Sequence, residues 1–252
     1  LAAIYNVFDG TELLAHSMRS IKSGVDVFII VWQSESNFGE FHYPFQKNTV
    51  TMTQLNEEFN CIFVEYKPIF KRGTANETEK RNIGLDKARQ LACTHFLFMD
   101  CDELYRDFNH AKNQYIDSGK SGSVNSMCTY FKKPTLRLED YDNYYVPFIH
   151  ELYDDTKAGP SKERYPFYVD PTRQVHQTDS HQILFQPMHH FSWCRLDIGL
   201  KVRNSSAKAN ILMSDLVKDY QSEKLKTGYY LKDYRQKLVE VSDIFGLSKI
   251  FE

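Results

Sequence analysis

No two cysteines in this chain have the C-x-x-C spacing of a zinc or redox pair. The five present (Cys61, Cys93, Cys101, Cys128, Cys194) are scattered and odd in number. A disulfide framework and a structural zinc site are both disfavoured, and the expectation is a reduced, cytoplasmic protein. Long apolar runs are missing too. None approaches the roughly 18 residues that span a bilayer, and no secretory leader pattern opens the chain. Charge of one sign is not in excess: 31 Lys and Arg face 33 Asp and Glu, a formal net charge of -2. That removes the basic bulk of a nucleic-acid-binding protein. Internal repeats and low-complexity segments are absent. What is abundant is aromatic: 16 Tyr and 18 Phe in 252 residues, enough for a large core and for sugar-facing surfaces.

Along the first hundred residues, apolar runs alternate with helical periodicity. "LAAIYNVF" reads as a buried strand, and "DGTELLAHSMRSIKSG" as a helix that Asp9 or Thr11 can cap and Gly24 stops. "VDVFIIVWQ" is a continuous β-branched and aromatic run, the pattern of a fully buried strand. A short helix around 51–59, the strand "CIFVEYKP", the helix "ETEKRNIGLDKARQLAC" with Ile83, Leu85, Ala88 and Leu91 inward, and the strand "THFLFMD" follow. This order predicts a mainly parallel sheet with helices on its faces, and ligands of such sheets sit outside the carboxyl ends of the strands. Beyond residue 105 extended segments predict a mixed sheet, and the Lys-, Leu-, Asp- and Ser-rich stretch 197–245 reads as helical.

The fourth strand runs into "MDCDE", which places Asp100 and Asp102 one residue apart at that carboxyl end. On an extended backbone the two carboxylates point to one side and Cys101 to the other. Paired hard oxygens suit Mg2+ or Mn2+, and such an ion usually completes its shell with phosphate oxygens. The expected ligand is therefore a diphosphate with a divalent metal. The competing reading is a solvated acidic turn.

"EKRNIGLDKARQLACTHFLFMDCDE" resembles a segment of the GT-A fold glycosyltransferases, especially the large family-2-like group. The matching residues are Arg81, Asn82, Gly84 and Ala88 on the helix, then Asp100, Cys101 and Asp102. "AAIYNVFDGTELLAHSMRSIKSGVDVFIIVWQ" looks like that family's first strand, helix and second strand, so the likeness covers about the first 105 residues. It implies an α/β, Rossmann-like GT-A fold with a helical C-terminal part. The division expected is one domain, 1–252, with a nucleotide-sugar-binding half (1–105), an acceptor-binding half (106–200) and a helical tail (201–252). It also implies metal-dependent transfer of a sugar from a nucleotide diphosphate donor, a UDP-sugar favoured, to a hydroxyl of a glycan acceptor. Many members carry an acidic cluster after the second strand. Here Gln33 takes that place with Glu35 nearby, which leaves UDP, GDP or another nucleotide donor open.

"MHHFSWCRLDIGLK" is the second distinctive stretch. Strand alternation puts His190, Ser192 and Cys194 on one face and His189, Phe191, Trp193 and Arg195 on the other. The resemblance implies a late histidine as third metal ligand, for which His190 is preferred and His189 held in reserve. Arg195 suits bidentate phosphate contact and Lys201 a point charge. The metal set expected is Asp100, Asp102 and His190; the donor set is Asn6, Gln33, Arg81, Asp100, Arg195 and Lys201. Lys80 lies beside Arg81, while Lys71 and Arg72 read as solvent-facing.

An inverting transferase needs a carboxylate base. Glu151, ending the apolar run "YYVPFIHEL", is the first candidate and Asp170 the reserve, with Asp140 and Asp142 also in range. Tyr144, Tyr145, Tyr153 and Trp193 are candidate platforms for an acceptor sugar, against core packing as the alternative. A nucleotidyltransferase would show a Gly-rich loop with a basic residue after the first strand, and "YNVFDGTELL" has one glycine and no Lys or Arg. A non-catalytic nucleotide-sugar-binding protein is the third reading. Peripheral membrane contact through the Lys-rich tail is weighed against a solvated helix.

Overall fold

In the computed structural model, residues 1–39, 52–69, 72–160, 165, 167–176, 180–205, 212–232 and 234–252 are described. Lys71 and most of the loop after the second strand lie outside them. Four parallel strands carry the first half: β1 (Ala2–Val7), β2 (Val27–Trp32), β3 (Cys61–Glu65) and β4 (His95–Asp100), in the order β4-β1-β2-β3. Between them run α1 (Thr11–Ile21), α2 (Met52–Glu58) and α3 (Gly73–Gln90). The second half adds β5 (Glu103–Leu104), α4 (Phe108–Ser118), β6 (Gly122–Phe131), β7 (Leu136–Leu138), β8 (Val146–Glu151) and β9 (His181–Trp193). β8 pairs antiparallel with β4, and β6 pairs antiparallel with β8 and β7 and parallel with β9. One sheet therefore runs through both halves, as the α/β reading predicts.

Strand alternation sorts β1 and β4 onto two helix layers. Ala3, Tyr5, Val7, Leu97, Met99 and Cys101 pack with Leu14, Met18 and Ile21 of α1. Ala2, Ile4, Phe96 and Phe98 pack with Leu85 and Ala88 of α3. The next residues of that second set, Asn6 and Asp100, are register partners and continue toward α3. The buried stripe of α3 is Gly73, Asn76, Lys80, Arg81, Gly84, Leu85 and Ala88. Its C-terminal part is apolar where it covers strands, and its N-terminal part is polar where it overhangs their carboxyl ends. Leu91, expected inward, is 40% exposed because the helix has already ended.

The helical tail is only partly present. After α5 (Ile198–Asn204) and α6 (Leu212–Gln221) come β10 (Tyr230–Leu231) and β11 (Gln236–Glu240), and β11 pairs antiparallel with β7. "QKLVE" supplies one fully buried residue, Leu238, which joins Leu136, Leu138 and Trp193 in a second core. Pairing to an open sheet edge prevails there over weak helical periodicity. Among the described residues no helix is long and apolar enough to cross a membrane.

Candidate functional site

A cleft of about 180 Å³ opens at the carboxyl ends of β1 and β4, bounded by α3, β9 and α5. Asp100 and Asp102 both line it. Asp100 ends β4 facing α3, and its Oδ1 accepts from Arg81 Nη2 at 3.3 Å. Its Oδ2 accepts from Arg173 Nη2. The chain then turns, and Asp102 faces the other wall. Its Oδ2 accepts from Arg195 Nη2 and from Lys201 Nζ at 3.4 Å, and its Oδ1 lies 3.7 Å from His190 Nε2. Pairing of β5 with β9 sets Glu103 opposite His190, which brings the late histidine to the aspartates.

Sequence alternation put Arg195 on the face away from His190. The structure corrects this: β9 ends at Trp193 and the chain turns, so Arg195 lines the cleft while Cys194 packs with Tyr130 and Phe191. The Arg195 guanidinium lies against Gly10, at φ 73°, where an added Cβ would come within 1.5 Å of Nη1. His189, the reserve ligand, is core: Tyr130 Oη lies 2.9 Å from its Nδ1 and Phe245 packs edge-on.

Two residues that sequence reasoning undervalued complete the constellation. Arg173, read only as a partner of Asp170, places Nη2 2.5 Å from Glu103 Oε1 as well as on Asp100, with Nε 3.7 Å from Asp170 Oδ2. Glu103 is 1% exposed, and its Oε2 accepts from the Asp100 backbone N–H at 2.9 Å. Asn37 also lines the cleft, where its Oδ1 accepts from Gln33 Nε2 at 2.9 Å and from Lys80 Nζ at 3.4 Å. Gln33 thus stands behind Asn37 and does not line the cleft, while Glu35 is exposed. Asn6 lines the cleft with Nδ2 donating to Glu77 O at 3.1 Å.

Charge shapes the titration of these groups. Burial alone would raise both aspartates, but Arg173 and Arg81 hold Asp100, and Arg195 and Lys201 hold Asp102, well below the usual carboxylate range. Burial pushes Glu103 up to about 7 even with Arg173 beside it. Burial pulls His190 down to about 4 despite Asp102, so its imidazole is neutral at pH 7. Lys80 is drawn down to about 8 by burial, with Glu77 opposing.

Not every buried donor in the cleft is matched. Arg81 Nε and Nη1, Arg173 Nη1 and Arg195 Nη1 are buried without a hydrogen-bond partner, as are His190 Nδ1 and Asn6 Oδ1. Buried polar groups are nearly always paired, and Arg81, Arg173 and Arg195, which carry these unmatched N–H groups, all line the one cleft, an arrangement that suits an anionic ligand.

The expected metal site is not formed. Arg81 and Arg173 hold the two Asp100 oxygens and Arg195 and Lys201 hold Oδ2 of Asp102, while Asp102 Oδ1 lies 3.7 Å from His190 Nε2, beyond hydrogen-bond distance. Among the described residues, no three His, Cys, Asp or Glu side chains are arranged to hold a metal ion. The donor set does not fit a divalent cation in this arrangement.

Glu151, the first candidate base, is corrected by strand direction. β8 is antiparallel to β4 and pairs Glu151 with His95, at the start of β4. That is five residues from Asp100, or roughly 17 Å along the strand, on the opposite edge of the sheet. Its carboxylate accepts from Tyr153 Oη there, which removes Tyr153 from the cleft as well. Asp142 accepts from Thr129 Oγ1 at 2.6 Å, and Asp140 is exposed; neither lines the cleft. Asp170 does. Its Oδ1 accepts from Thr172 N at 2.8 Å and Thr172 Oγ1 at 2.9 Å. Of the aromatic candidates only Tyr144 lines the cleft, with Tyr168 edge-on at 6.1 Å. Tyr145 packs on Phe167, and Trp193 stacks on Phe131 and donates to Tyr234. Arg72 is exposed.

No family model matches the chain, and no curated protein matches it. Solved structures do. S. aureus TarS 1-349 aligns over 92% of this chain and 74% of its own length, with a TM-score of 0.43 and 11% identity. The complex of S. aureus TarS 1-349 with UDP-GlcNAc aligns over 52% of this chain, at a TM-score of 0.32 and 14% identity, and the match spans only 34% of that chain. The inositol-1-phosphate CTP transferase from T. maritima aligns over 87% of this chain and 96% of its own, at a TM-score of 0.36 and 13% identity.

Proposed function

We propose that the chain is a glycosyltransferase that moves a sugar from a nucleotide diphosphate donor, a UDP-sugar favoured, to a hydroxyl of a glycan acceptor with inversion. One observation carries this reading: buried guanidinium groups with unmatched N–H donors surround the carboxyl end of a parallel strand. In an open α/β sheet that edge is where ligands bind. An anion with several oxygens is the ligand that pairs those donors.

On this reading the diphosphate lies between Arg195, Lys201 and Arg173. The acceptor oxygen attacks the anomeric carbon as the bond to the diphosphate oxygen breaks, and the electron pair leaves on the diphosphate. Fixed cations beside that oxygen stabilise the charge as it develops. Asp170 takes the hydroxyl proton: Thr172 fixes one of its oxygens, and the other is 3.7 Å from Arg173 Nε. Tyr144 offers a ring face to the acceptor sugar. The metal of the sequence expectation enters no step, because both oxygens of Asp100 and one of Asp102 are already held by cations.

The test is a panel of nucleotide sugars in buffer containing Mn2+, read by release of free nucleoside diphosphate without acceptor. Release from one donor supports the reading and names the sugar nucleotide. Pyrophosphate release from a nucleoside triphosphate and a sugar phosphate, with no release from any donor, would transfer the site to nucleotidyl transfer. Release in neither assay refutes the reading.

A further inference from the structure

We infer that the charge of the leaving diphosphate is neutralised by the side chains of Arg195, Lys201 and Arg173, with no divalent cation on the aspartate pair. This rests on the nucleotide-sugar reading above. The ground is what each carboxylate oxygen already holds. Arg81 and Arg173 divide the two oxygens of Asp100, while Arg195 and Lys201 share one oxygen of Asp102 and His190 faces the other. A Mg2+ ion requires carboxylate oxygens at about 2.1 Å in a near-octahedral shell. To bridge the pair it would have to displace Arg81 or Arg173 from Asp100, leaving a guanidinium only 3–5% exposed without that carboxylate, which is unfavourable.

Charge alone is even here: Arg81, Arg173, Arg195 and Lys201 face Asp100, Asp102, Glu103 and Asp170, four cations against four carboxylates. What places the diphosphate there is the unmatched Nη1 of Arg173 and of Arg195. The aspartates then act as positioning residues. Asp102 holds Arg195, 3% exposed in its side chain, and Asp100 with Glu103 holds Arg173, 5% exposed, so that each guanidinium is fixed with an N–H left over. Lys201, at 22%, is the least buried of the four. Its ammonium is a mobile point charge on α5, able to leave Asp102 at 3.4 Å for a phosphate oxygen.

Calorimetric titration of the full chain with UDP, GDP and inorganic pyrophosphate, in EDTA and then in Mn2+, tests this. The inference predicts binding in EDTA within about threefold of that in Mn2+, and a loss of roughly ten- to hundredfold in EDTA for Lys201→Met, the cost of one charged hydrogen bond. Binding that requires Mn2+, or is more than about tenfold tighter with it, overturns the inference and leaves the nucleotide reading standing. An unchanged affinity in a folded Lys201→Met overturns the role given to Lys201. No binding of any of the three probes in either buffer overturns the nucleotide reading itself. Should Lys201→Met fail to fold, the comparison of EDTA with Mn2+ on the unaltered chain still decides.

Discussion

Gly84→Ala places a methyl group where α3 rests on β1. An ideal Cβ there lies 2.2 Å from Ile4 Cγ2 and 3.4 Å from two further Ile4 carbons. Carbon atoms pack best at about 3.5–4.0 Å, so the first contact is far inside that limit. Ile4 cannot yield easily. It is fully buried, its strand is paired on both sides, through Ile29 and Phe98, and β-branched side chains are stiff. Against this, Ala is about 1 kcal/mol better than Gly inside a helix. Overpacking costs about 1–3 kcal/mol, and the depth of this clash calls for the upper end, leaving a net loss of about 2 kcal/mol. For a chain of this size that lowers Tm by about 4–8 °C. The assay is calorimetric melting of Gly84→Ala in the wild-type and Ile4→Ala backgrounds. Ile4→Ala is itself destabilising, but it removes Cγ2, so in that background Gly84→Ala becomes neutral or stabilising by about 1 kcal/mol. An equal loss in both backgrounds, or a Tm at or above wild type for the single variant, would refute the close-approach argument.

Three further outcomes follow from the same geometry. If Asp170 is the base proposed above, Asp170→Asn abolishes transfer but leaves nucleotide affinity within about threefold, since Thr172 donates equally to an amide oxygen; weakened nucleotide binding would place it at the donor instead. Arg173→Gln leaves Asp100 and Glu103 without their shared cation and costs about 3–5 kcal/mol, read as a lower urea midpoint; a loss under about 1 kcal/mol would contradict the buried network. Burial holds His150 down to about 3, and His189 and His190 down to about 4. Between those values and pH 6.5 these three imidazoles bind more protons in the unfolded chain than in the folded one, so together they lower stability as pH drops through that window, by up to about 1.4 kcal/mol per group per unit, and outweigh the opposing Glu103, held up to about 7. Melting at pH 7, 6 and 5 checks this, and a flat profile would argue against three buried neutral imidazoles.

The sheet and the aspartate pair were legible because both are local. Apolar runs of strand length, helical periodicity between them, and two acids one residue apart at a strand end are all read within a few residues. Glu151 shows where this stops. "HFLFMD" and "VPFIHE" have the same form, an apolar strand ending in an acid. Only pairing direction separates them, since β8 runs against β4 and carries its acid to the other edge. Arg173 was hidden for a related reason. Its partner Asp100 is 73 residues away, and within its own segment the only visible acid was Asp170. Glu103 was passed over because it adjoins the more conspicuous pair, and its burial depends on the pairing of two-residue β5 with β9. Arg195 was assigned to the wrong face because periodicity does not mark where a strand ends. The metal expectation followed from carboxylates read without the four distant cations that engage them.

The central claim is that a diphosphate binds among the buried cations beside Asp100 and Asp102. A crystal structure of the chain with UDP or GDP tests it most directly. The account predicts diphosphate oxygens within about 3 Å of Lys201 Nζ and of a guanidinium nitrogen of Arg195 or Arg173. A nucleotide bound elsewhere on the chain, with those cations still paired to the aspartates, would contradict it.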